Sequence, residues 1–419
     1  MTDSYIKSGA IEIKNLSLFS LDGKRGISLI GYVTSFNIYE DITFPSIRAD
    51  FIVGDSVGIL AGFPIIGQER IIVEFSLPND KFINSYVLDV NSVENIDDAK
   101  NYKKKIYKIS AVSPEFKQSN KQLVNKKFNT ESTNIVQNIL KEYLGTSKKV
   151  YIEDKTKGIQ DVLISRLRPF QAIDMIRKRS VSEKYLSSSY CFFENKRGYN
   201  FCSIEYLLDN LKEKVGDRVF FYDTAMNTDI KNMSTRSIVS LVNVSQTNDT
   251  KKIAQGSLHN IVKRFDIMTG EVTETVFKNS EKQNQFSYIT DTPAGLNTSQ
   301  YENVYGDTPA VTMLVPFSSD LPETFISESI GARQAFATKM AQNIYRVNVF
   351  GDPALTVGDV ITIKIPNSTG STGPLNENRL VSGNYLISKL RHSVTARISV
   401  ERFYWTSMEL IKGTYEDYA

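Results

Sequence analysis

A Gly-x-Ser-x-Gly pattern is the feature of this sequence that most directly suggests catalysis. It is formed by Gly54-Asp55-Ser56-Val57-Gly58 and follows a strand-like run, as the nucleophile of a serine hydrolase does. That nucleophile also needs a helix directly after it, and Gly62 and Pro64 leave little room for one. We therefore interpret Asp55 and Ser56 as turn residues and predict no catalytic site here.

Histidine and cysteine are scarce, which limits the other chemistry that is open to the chain. His259 and His392 are its 2 histidines, and neither stands at a metal-ligand spacing. Cys191 and Cys202 flank a short turn symmetrically, so a hairpin there would place them opposite each other as buried, reduced thiols. We predict structural or surface histidines, no metal and no cofactor. A convergent pair of carboxylates, as in glycosidases, leaves no mark in a sequence.

Length and charge exclude several classes of protein. With 419 residues the chain can form several domains, each with its own core. Its 50 basic and 47 acidic residues give a net charge of +3, too small for a general attraction to nucleic acid or anionic lipid. The start of the chain lacks the pattern of a signal peptide, and the apolar stretch at 57–66 is too short to span a membrane.

The spacing of apolar residues predicts an α+β protein that is predominantly antiparallel β. Helical spacing occurs at 130–145, at 169–180 and at about 327–344. Strand patterns are expected at Ile27–Ile38, Arg48–Val53, Arg70–Phe75, Lys105–Val112, Val150–Ile152, Val219–Phe265, Val360–Ile365, Asn384–Leu390 and Ala396–Trp405. The predicted units are a first β-barrel domain at 1–115, an α+β domain at 116–215, a second, similar β-barrel domain at 216–265 and 333–405, a polar insertion with exposed loops at 266–332, and a tail at 406–419.

A weak internal repeat connects the two β-rich ends. Arg48 to Asp55 aligns with Arg346 to Asp352, because each is an Arg-led strand that closes on Gly-Asp and precedes a second alternating strand. Proline fixes its own φ and holds the residue before it extended, while glycine permits the positive φ of tight turns. We therefore predict structural corners at Gly54, Asp55, Gly351, Asp352, Pro353, Gly358 and Asp359.

Several short motifs follow one another in a distinctive order. They are the helix Asn134–Leu144, Arg168-Pro169-Phe170, Met340-Ala341-Gln342, Pro353-Ala354-Leu355 with Gly358-Asp359, and Tyr385-Leu386-Ile387 with Arg391-His392-Ser393. In this order and spacing the chain resembles baseplate central hub proteins of contractile-tailed phages, a family that includes the hub part of type VI secretion spike proteins. The resemblance covers most of the chain by its order of elements.

The resemblance implies a structural protein of the virion tail that is assembled in the host cytoplasm. In that family each chain contributes two similar barrels and three chains close into a tube, so a homotrimer can join a sixfold tail tube to a threefold spike. The implied partners are a central spike protein, a tail tube or tube-initiator protein and baseplate wedge proteins. Because the chain ends at Ala419, we expect the spike to be a separate chain.

The same resemblance implies that DNA passes through the lumen of the hub only in transit. Because a basic lining would bind phosphates and resist that passage, we predict a neutral or acidic inner wall. Two other functions stay open at this point. One is a tail-associated cell-wall hydrolase that uses Ser56 or an unseen carboxylate pair, and the other is a host-surface binding tail-tip protein that uses residues 266–332.

Overall fold

We analysed the chain in a computed structural model. It describes residues 9–63, 65–78, 83–97, 105–153, 155–209, 218–222, 236–245, 254–256, 259–278, 311–317, 329–331, 344–366, 381–396 and 402–412, with a few single positions between them. Within these ranges the structure is mostly antiparallel sheet with few helices, so the predicted α+β class is confirmed. No helix in the described ranges is long and apolar enough to cross a membrane.

The front module, residues 9–112, is built from strands and one short helix. They are Glu12–Phe19 (β1), Gly26–Ser28 (β2), Val33–Asp41 (β3), Arg48–Asp55 (β4), the helix Ile59–Gly62 (α1), Arg70–Ser76 (β5), Asn84–Asp97 (β6) and Lys105–Val112 (β7). The single strand predicted from Ile27 to Ile38 is wrong. A turn divides it, in which the Val33 amide donates to the carbonyl of Leu29 at 2.9 Å.

The middle module, residues 113–209, packs helices against two small sheets. Its elements are Pro114–Lys121 (α2), Val124–Thr130 (β8), Ser132–Asn138 (α3) with a π-helical turn at Ile139–Tyr143, Val150–Ile152 (β9), Gln160–Leu167 (β10), Pro169–Arg177 (α4), Tyr190–Asn195 (β11), Gly198–Ser203 (β12) and Ile204–Asp209 (α5). The predicted cysteine hairpin is confirmed, since Cys191 and Cys202 are opposite each other across β11 and β12 as free, buried thiols.

The remaining strands form a rear module and a separate small sheet. In chain order they are Val219–Phe221 (β13), Ile238–Ser245 (β14), His259–Asp266 (β15), Val272–Lys278 (β16), Val311–Phe317 (β17), Ile344–Phe350 (β18), Val360–Lys364 (β19), Gly383–Ala396 (β20) and Arg402–Lys412 (β21). Strands β15 to β17 pair only with one another among the described strands, and the other six form the rear module.

Three predicted ends in the rear of the chain are wrong. The strand expected to stop at Leu390 continues as β20 to Ala396. The helix expected at 327–344 does not include Ile344, which begins β18 because the following residues alternate between buried and solvent-facing positions of the sheet. The motif Met340-Ala341-Gln342, which falls in that predicted range, lies outside the described residues. The last strand does not stop at Trp405 but continues to Lys412, with Met408 and Leu410 buried in the sheet.

The front and rear modules have the same strand order. The front order is β3-β4-β7-β6-β5-β1, and the rear order is β14-β18-β21-β20-β19-β13. β-Bulges recur at matching places, between Val33 and Ser35 in β3 and between Ile238 and Ser240 in β14. Matching bulges also interrupt β6 and β20. The strand order thus agrees with the predicted internal repeat. One pairing differs in direction, because β13 runs parallel to β19 whereas β1 runs antiparallel to β5.

The residue alignment that suggested the repeat is shifted from the structural one. Val53 pairs with the first residue of β3, and the residue that pairs with the first residue of β14 is Val349. Counting from these two pairs, Gly351 takes the place of Asp55, and the two Gly-Asp dipeptides are not equivalent. The sequence therefore identified the correct strands in a slightly wrong register.

The two modules share one continuous sheet. Strand β20 of the rear module pairs antiparallel with β3 of the front module, from Lys389 opposite Asp41 to Thr395 opposite Ser35. The apolar side chains of both modules lie on one face of this sheet in two separate cores. The opposite face is polar and runs without a break across both modules, since antiparallel strands with one buried face alternate in this way.

Candidate assembly site: a corner shared by the three modules

The loop Gly351–Asp359, which we call the corner segment, joins β18 to β19 and contacts all three modules. At its start the Gly351 amide donates to the carbonyl of Tyr404 at 2.9 Å. A side-chain Cβ at Gly351 would lie only 1.9 Å from Cδ1 of the Tyr404 ring, so glycine is required by close approach. The Asp352 carboxylate accepts from the Ala354 amide at 2.8 Å, which makes the predicted corner an Asx turn.

The middle of the corner segment binds the front and middle modules through Pro353. The carbonyl of Pro353 accepts from Nδ2 of Asn84 in β6 at 2.8 Å. It also accepts from Nζ of Lys196, which lies in the turn between β11 and β12. Burial lowers the pKa of Lys196 to about 8, and the nearby Glu40 opposes that shift. One carbonyl thus connects the rear module to both of the others.

Glu40 of β3 is the buried acid at the centre of this junction. Its side chain is 1% exposed and accepts from the Val357 amide at 3.0 Å, from the Lys196 amide at 3.1 Å and from the hydroxyl of Thr356. Burial raises the pKa of Glu40, and the hydrogen bonds from Thr356 and Val357 oppose that rise. Sequence analysis missed Glu40, because a single acid in an alternating strand resembles any solvent-facing residue.

The corner segment ends on a second buried acid, Asp359. Gly358 has φ +88°, the left-handed turn that the sequence predicted, and its amide donates to the carbonyl of Ile387 at 3.0 Å. Asp359 is 1% exposed, and its two carboxylate oxygens accept hydrogen bonds from the two terminal nitrogens of Arg197 at 2.8 and 2.9 Å. One of these oxygens also accepts a hydrogen bond from Arg218 at 2.5 Å. A guanidinium on two oxygens fixes orientation as well as distance.

The front module has a counterpart of this acid, which the sequence repeat did not reveal. The Val90 amide donates to the carbonyl of Glu69 at 2.8 Å, as the Ile387 amide donates to that of Asp359 at 2.9 Å. The buried Glu69 carboxylate accepts hydrogen bonds from the backbone amides of residues 66 to 68 in its own turn, whereas the Asp359 carboxylate accepts hydrogen bonds from arginines. Asp359 therefore differs from its counterpart in binding another module.

Replacing Asp359 with asparagine tests this connection. We expect Asp359→Asn to lower the free energy of unfolding by about 1–2 kcal/mol, because charge-assisted bonds are lost while the partly exposed Arg197 keeps access to water. Urea unfolding of the purified chain measures the effect. The matched control is Asp352→Asn, which keeps the Asx turn and should change the value by less than about 0.5 kcal/mol. Equal losses in the two variants would contradict the assignment.

The corner in the front module is a turn built on Asp55. The Asp55 carboxylate accepts the amides of Val57 and Gly58 at 3.1 and 2.7 Å, and the Gly54 amide donates to the carbonyl of Tyr32. Ser56 is exposed in this turn, and the helix that follows, α1, has only 4 residues. A nucleophile elbow needs a longer helix directly after the serine, so the turn interpretation agrees with the geometry.

Both histidines are buried in the structure. His392 has no exposed surface, and its Nδ1 lies 2.7 Å from the hydroxyl of Tyr404. His259 is 7% exposed in β15. Among the described residues, no three His, Cys, Asp or Glu side chains are grouped closely enough to hold a metal ion.

Comparison with known proteins identifies the fold. No protein-family profile matches the chain, and no curated protein matches it in sequence. Among solved structures, a tail protein from Neisseria meningitidis MC58 matches with a TM-score of 0.56 and 10% identity, over 96% of this chain and 99% of that one. The 43 kDa tail protein of prophage MuSo2 from Shewanella oneidensis matches with a TM-score of 0.54 and 9% identity, over 95% of this chain and 98% of that one.

The chain has the fold of phage tail proteins. The matches extend over nearly the whole of both chains, so they include the front, middle and rear modules together. The resemblance found in the sequence is thus confirmed at the level of the fold.

Proposed function

We propose that this chain is a structural, non-enzymatic hub of a contractile phage tail baseplate. Three copies form a ring that joins the sixfold tail tube, or its initiator protein, to a threefold central spike, with baseplate wedge proteins around it. The ring belongs to the virion tail and is assembled in the host cytoplasm. The corner residues Gly54, Asp55, Gly351, Asp352, Pro353, Gly358 and Asp359 serve in this proposal as structural positions.

The observation that carries the proposal is the repeated strand order within one continuous sheet. Two modules per chain, times three chains, give six similar units, which match a sixfold partner while the chains themselves keep threefold symmetry. Each unit is expected to be a barrel. In support, the bridge from Phe221 to Ser237 brings β13 back beside the start of β14, and the Leu29 amide donates to the carbonyl of Leu16 in the front module.

The polar face of the shared sheet suits the inner wall of such a tube. Its described acidic and basic side chains are equal in number on β3 to β7, β18, β20 and β21, and β19 adds one further base, Lys364. Several of them form ion pairs, such as Lys108 with Glu94 at 3.0 Å and Lys389 with Glu409 at 2.8 Å. A nearly balanced wall supports the expectation of a neutral lumen, because no large excess of cations would hold the phosphates of passing DNA. The basic members are Arg48, Arg70, Lys108, Arg346, Lys364, Lys389 and Arg391, and the acidic members are Asp41, Asp50, Glu74, Asp89, Glu94 and Glu409.

The corner segment has a mechanical role in this proposal. An adaptor under load must keep its modules at a fixed angle, and Glu40, Pro353 and Asp359 bind the modules through directed bonds to buried groups. Buried polar groups that are fully hydrogen-bonded favour one arrangement of the modules, because any other arrangement would leave buried hydrogen-bond donors without acceptors. We infer that the corner sets the angle between the two barrels.

Native mass measurement tests the proposal. We expect a mass of three chains for the purified protein, either alone at micromolar concentration or after mixing with its spike protein, since assembly contacts can need the partner. A chain that stays monomeric with and without spike and tube proteins would contradict the hub. Zymography on peptidoglycan gives the second readout. Clearing by the wild-type chain that Ser56→Ala abolishes would favour the hydrolase instead.

A further inference from the structure

Strands β20 and β3 form the junction between the two modules. In the described part of the chain, the strands that correspond to them in the repeat do not pair with each other. Within the chain, β20 pairs with β19 along its first residues and, after its bulge, with β3 along Lys389 to Thr395. In the repeat, β6 takes the place of β20 and β14 takes the place of β3. The same junction would therefore place β14 beside the second half of β6.

Within the described ranges those two strands do not meet in one chain, and each has an edge with no other strand beside it. After Asp89, where its pairing with β5 ends, β6 pairs only with β7 among the described strands. Strand β14 pairs only with β18 among them. An uncovered strand edge is a template for pairing with another chain, and folded proteins avoid leaving one open without a purpose.

Exposure of matching residues shows what the missing partner would cover. In the complete junction Leu390 of β20 is 2% exposed, whereas its counterpart Val93 in β6 is only half-buried. In β3, Asn37 is half-buried, whereas its counterpart Val242 in β14 is 56% exposed. Val244, the extra residue at a bulge of β14 that β3 lacks, is 47% exposed. Two exposed valines on an edge strand indicate a surface that is covered on assembly.

We propose that the outer edge of β14 pairs antiparallel with the second half of β6 in a neighbouring copy of this chain. The register follows from the junction inside the chain, where Leu390 is opposite Glu40 and Arg391 is opposite Tyr39. Through the repeat, His392 matches Asn95 of β6, and Ile38, which is opposite His392, matches Asn243 of β14. Counted from Asn95 opposite the partner's Asn243 along the outer edge of β14, the register places Glu94 opposite the partner's Val244 and Val93 opposite the partner's Ser245. The inference rests on the proposed ring, and it adds the strands and the register that close it.

Cysteine cross-linking tests the register directly. We expect Glu94→Cys combined with Val244→Cys to give covalently linked dimers and trimers on mild oxidation, because facing residues of antiparallel strands lie within disulfide reach. Both sites are exposed, and the natural cysteines are buried, so the background is low. The linked species are counted on a non-reducing gel and return to monomer on reduction.

Two matched variants make the result interpretable. Glu94→Cys with Val242→Cys moves one site by two residues, about 7 Å along β14, and should link at least fivefold less. Tyr39→Cys with Arg391→Cys, at the junction inside the chain, should form a bridge within one chain and show that oxidation works. Equal linking of the two Glu94 pairs would overturn the register.

The experiment also separates this inference from the proposed function. The chain could form a trimer by native mass while Glu94→Cys and Val244→Cys do not link and the Tyr39 and Arg391 control does. That outcome would support the ring and overturn the β14 to β6 interface. A chain that is monomeric with its partners and does not link overturns both. Linking confined to dimers, with the mass of two chains, overturns the threefold ring and keeps the strand pairing.

Discussion

Gly351→Ala is expected to destabilise the protein by about 3 kcal/mol or more, the upper end of what an overpacked core costs. The added Cβ would lie 1.9 Å from Cδ1 and 2.1 Å from Cγ of Tyr404, which is the near end of the ring. Tyr404 cannot turn away, because it has no exposed surface and packs edge-on against Phe75 at 5.6 Å between ring centroids. The Gly351 amide also bonds to the Tyr404 carbonyl, so the backbone is held as well.

Urea unfolding at neutral pH measures this effect, with Gly31→Ala as the control. A Cβ at Gly31 meets no atom within 4 Å, and Gly31 is exposed, so that variant should unfold within about 0.5 kcal/mol of the wild type. If Gly351→Ala also unfolds at the wild-type denaturant concentration, the close approach to Tyr404 is not a constraint of the folded chain. Unfolding of the front module together with the rear one is expected, since Tyr404 belongs to the front core.

The strands and the repeat could be predicted from the sequence because alternation with a period of two records which face is buried. Arg48–Asp55, Arg70–Ser76 and Lys105–Val112 fall within a residue or two of their predicted ends for this reason. The same signal was present and missed beyond Trp405, where Met408 and Leu410 alternate with polar residues. The break between β2 and β3 also had a signal, in Gly31.

The corner could be located from the sequence, but what it binds could not. Glycine and proline mark a turn locally, so Gly351, Pro353 and Gly358 were found. Glu40 is 317 residues from Val357, and no local pattern states that a strand acid will accept that amide. The pairing of Asp359 with Arg197 across 162 residues is equally invisible, because any of the arginines would fit a carboxylate.

In the proposed ring, where one chain acts as two units, the repeat and the corner have complementary roles. The repeated topology makes the front and rear modules similar where neighbours meet, at β3, β14, β6 and β20. The corner makes them different where they meet the middle module, since Asp359 binds arginines and its counterpart Glu69 binds its own turn. Similar edges allow sixfold contacts, and different corners keep the order of modules within each chain fixed.

Acid is expected to weaken the protein through His392, by about 3 kcal/mol between pH 7 and pH 4. Burial, with a smaller contribution from Lys196, lowers the pKa of His392 to about 3 from an ordinary value of 6.5. Below pH 6.5 the unfolded chain therefore binds a proton that the folded chain does not accept until about pH 3. Stability contributed by the neutral imidazole is present above pH 6.5 and is lost as the pH falls, by about 1.4 kcal/mol for each unit.

The test compares the wild type with His392→Gln, which cannot take up this proton. Urea unfolding from pH 7 to pH 4 gives two curves, and we expect the wild type to lose about 3 kcal/mol more than the variant over that range. Burial raises the pKa of Glu40 and of Glu194, so these carboxyls change stability with pH in the opposite direction. Since both chains contain them, the difference between the curves isolates His392. Parallel curves would mean that the imidazole is protonated in the folded core, where it lies between Phe75 and Tyr404.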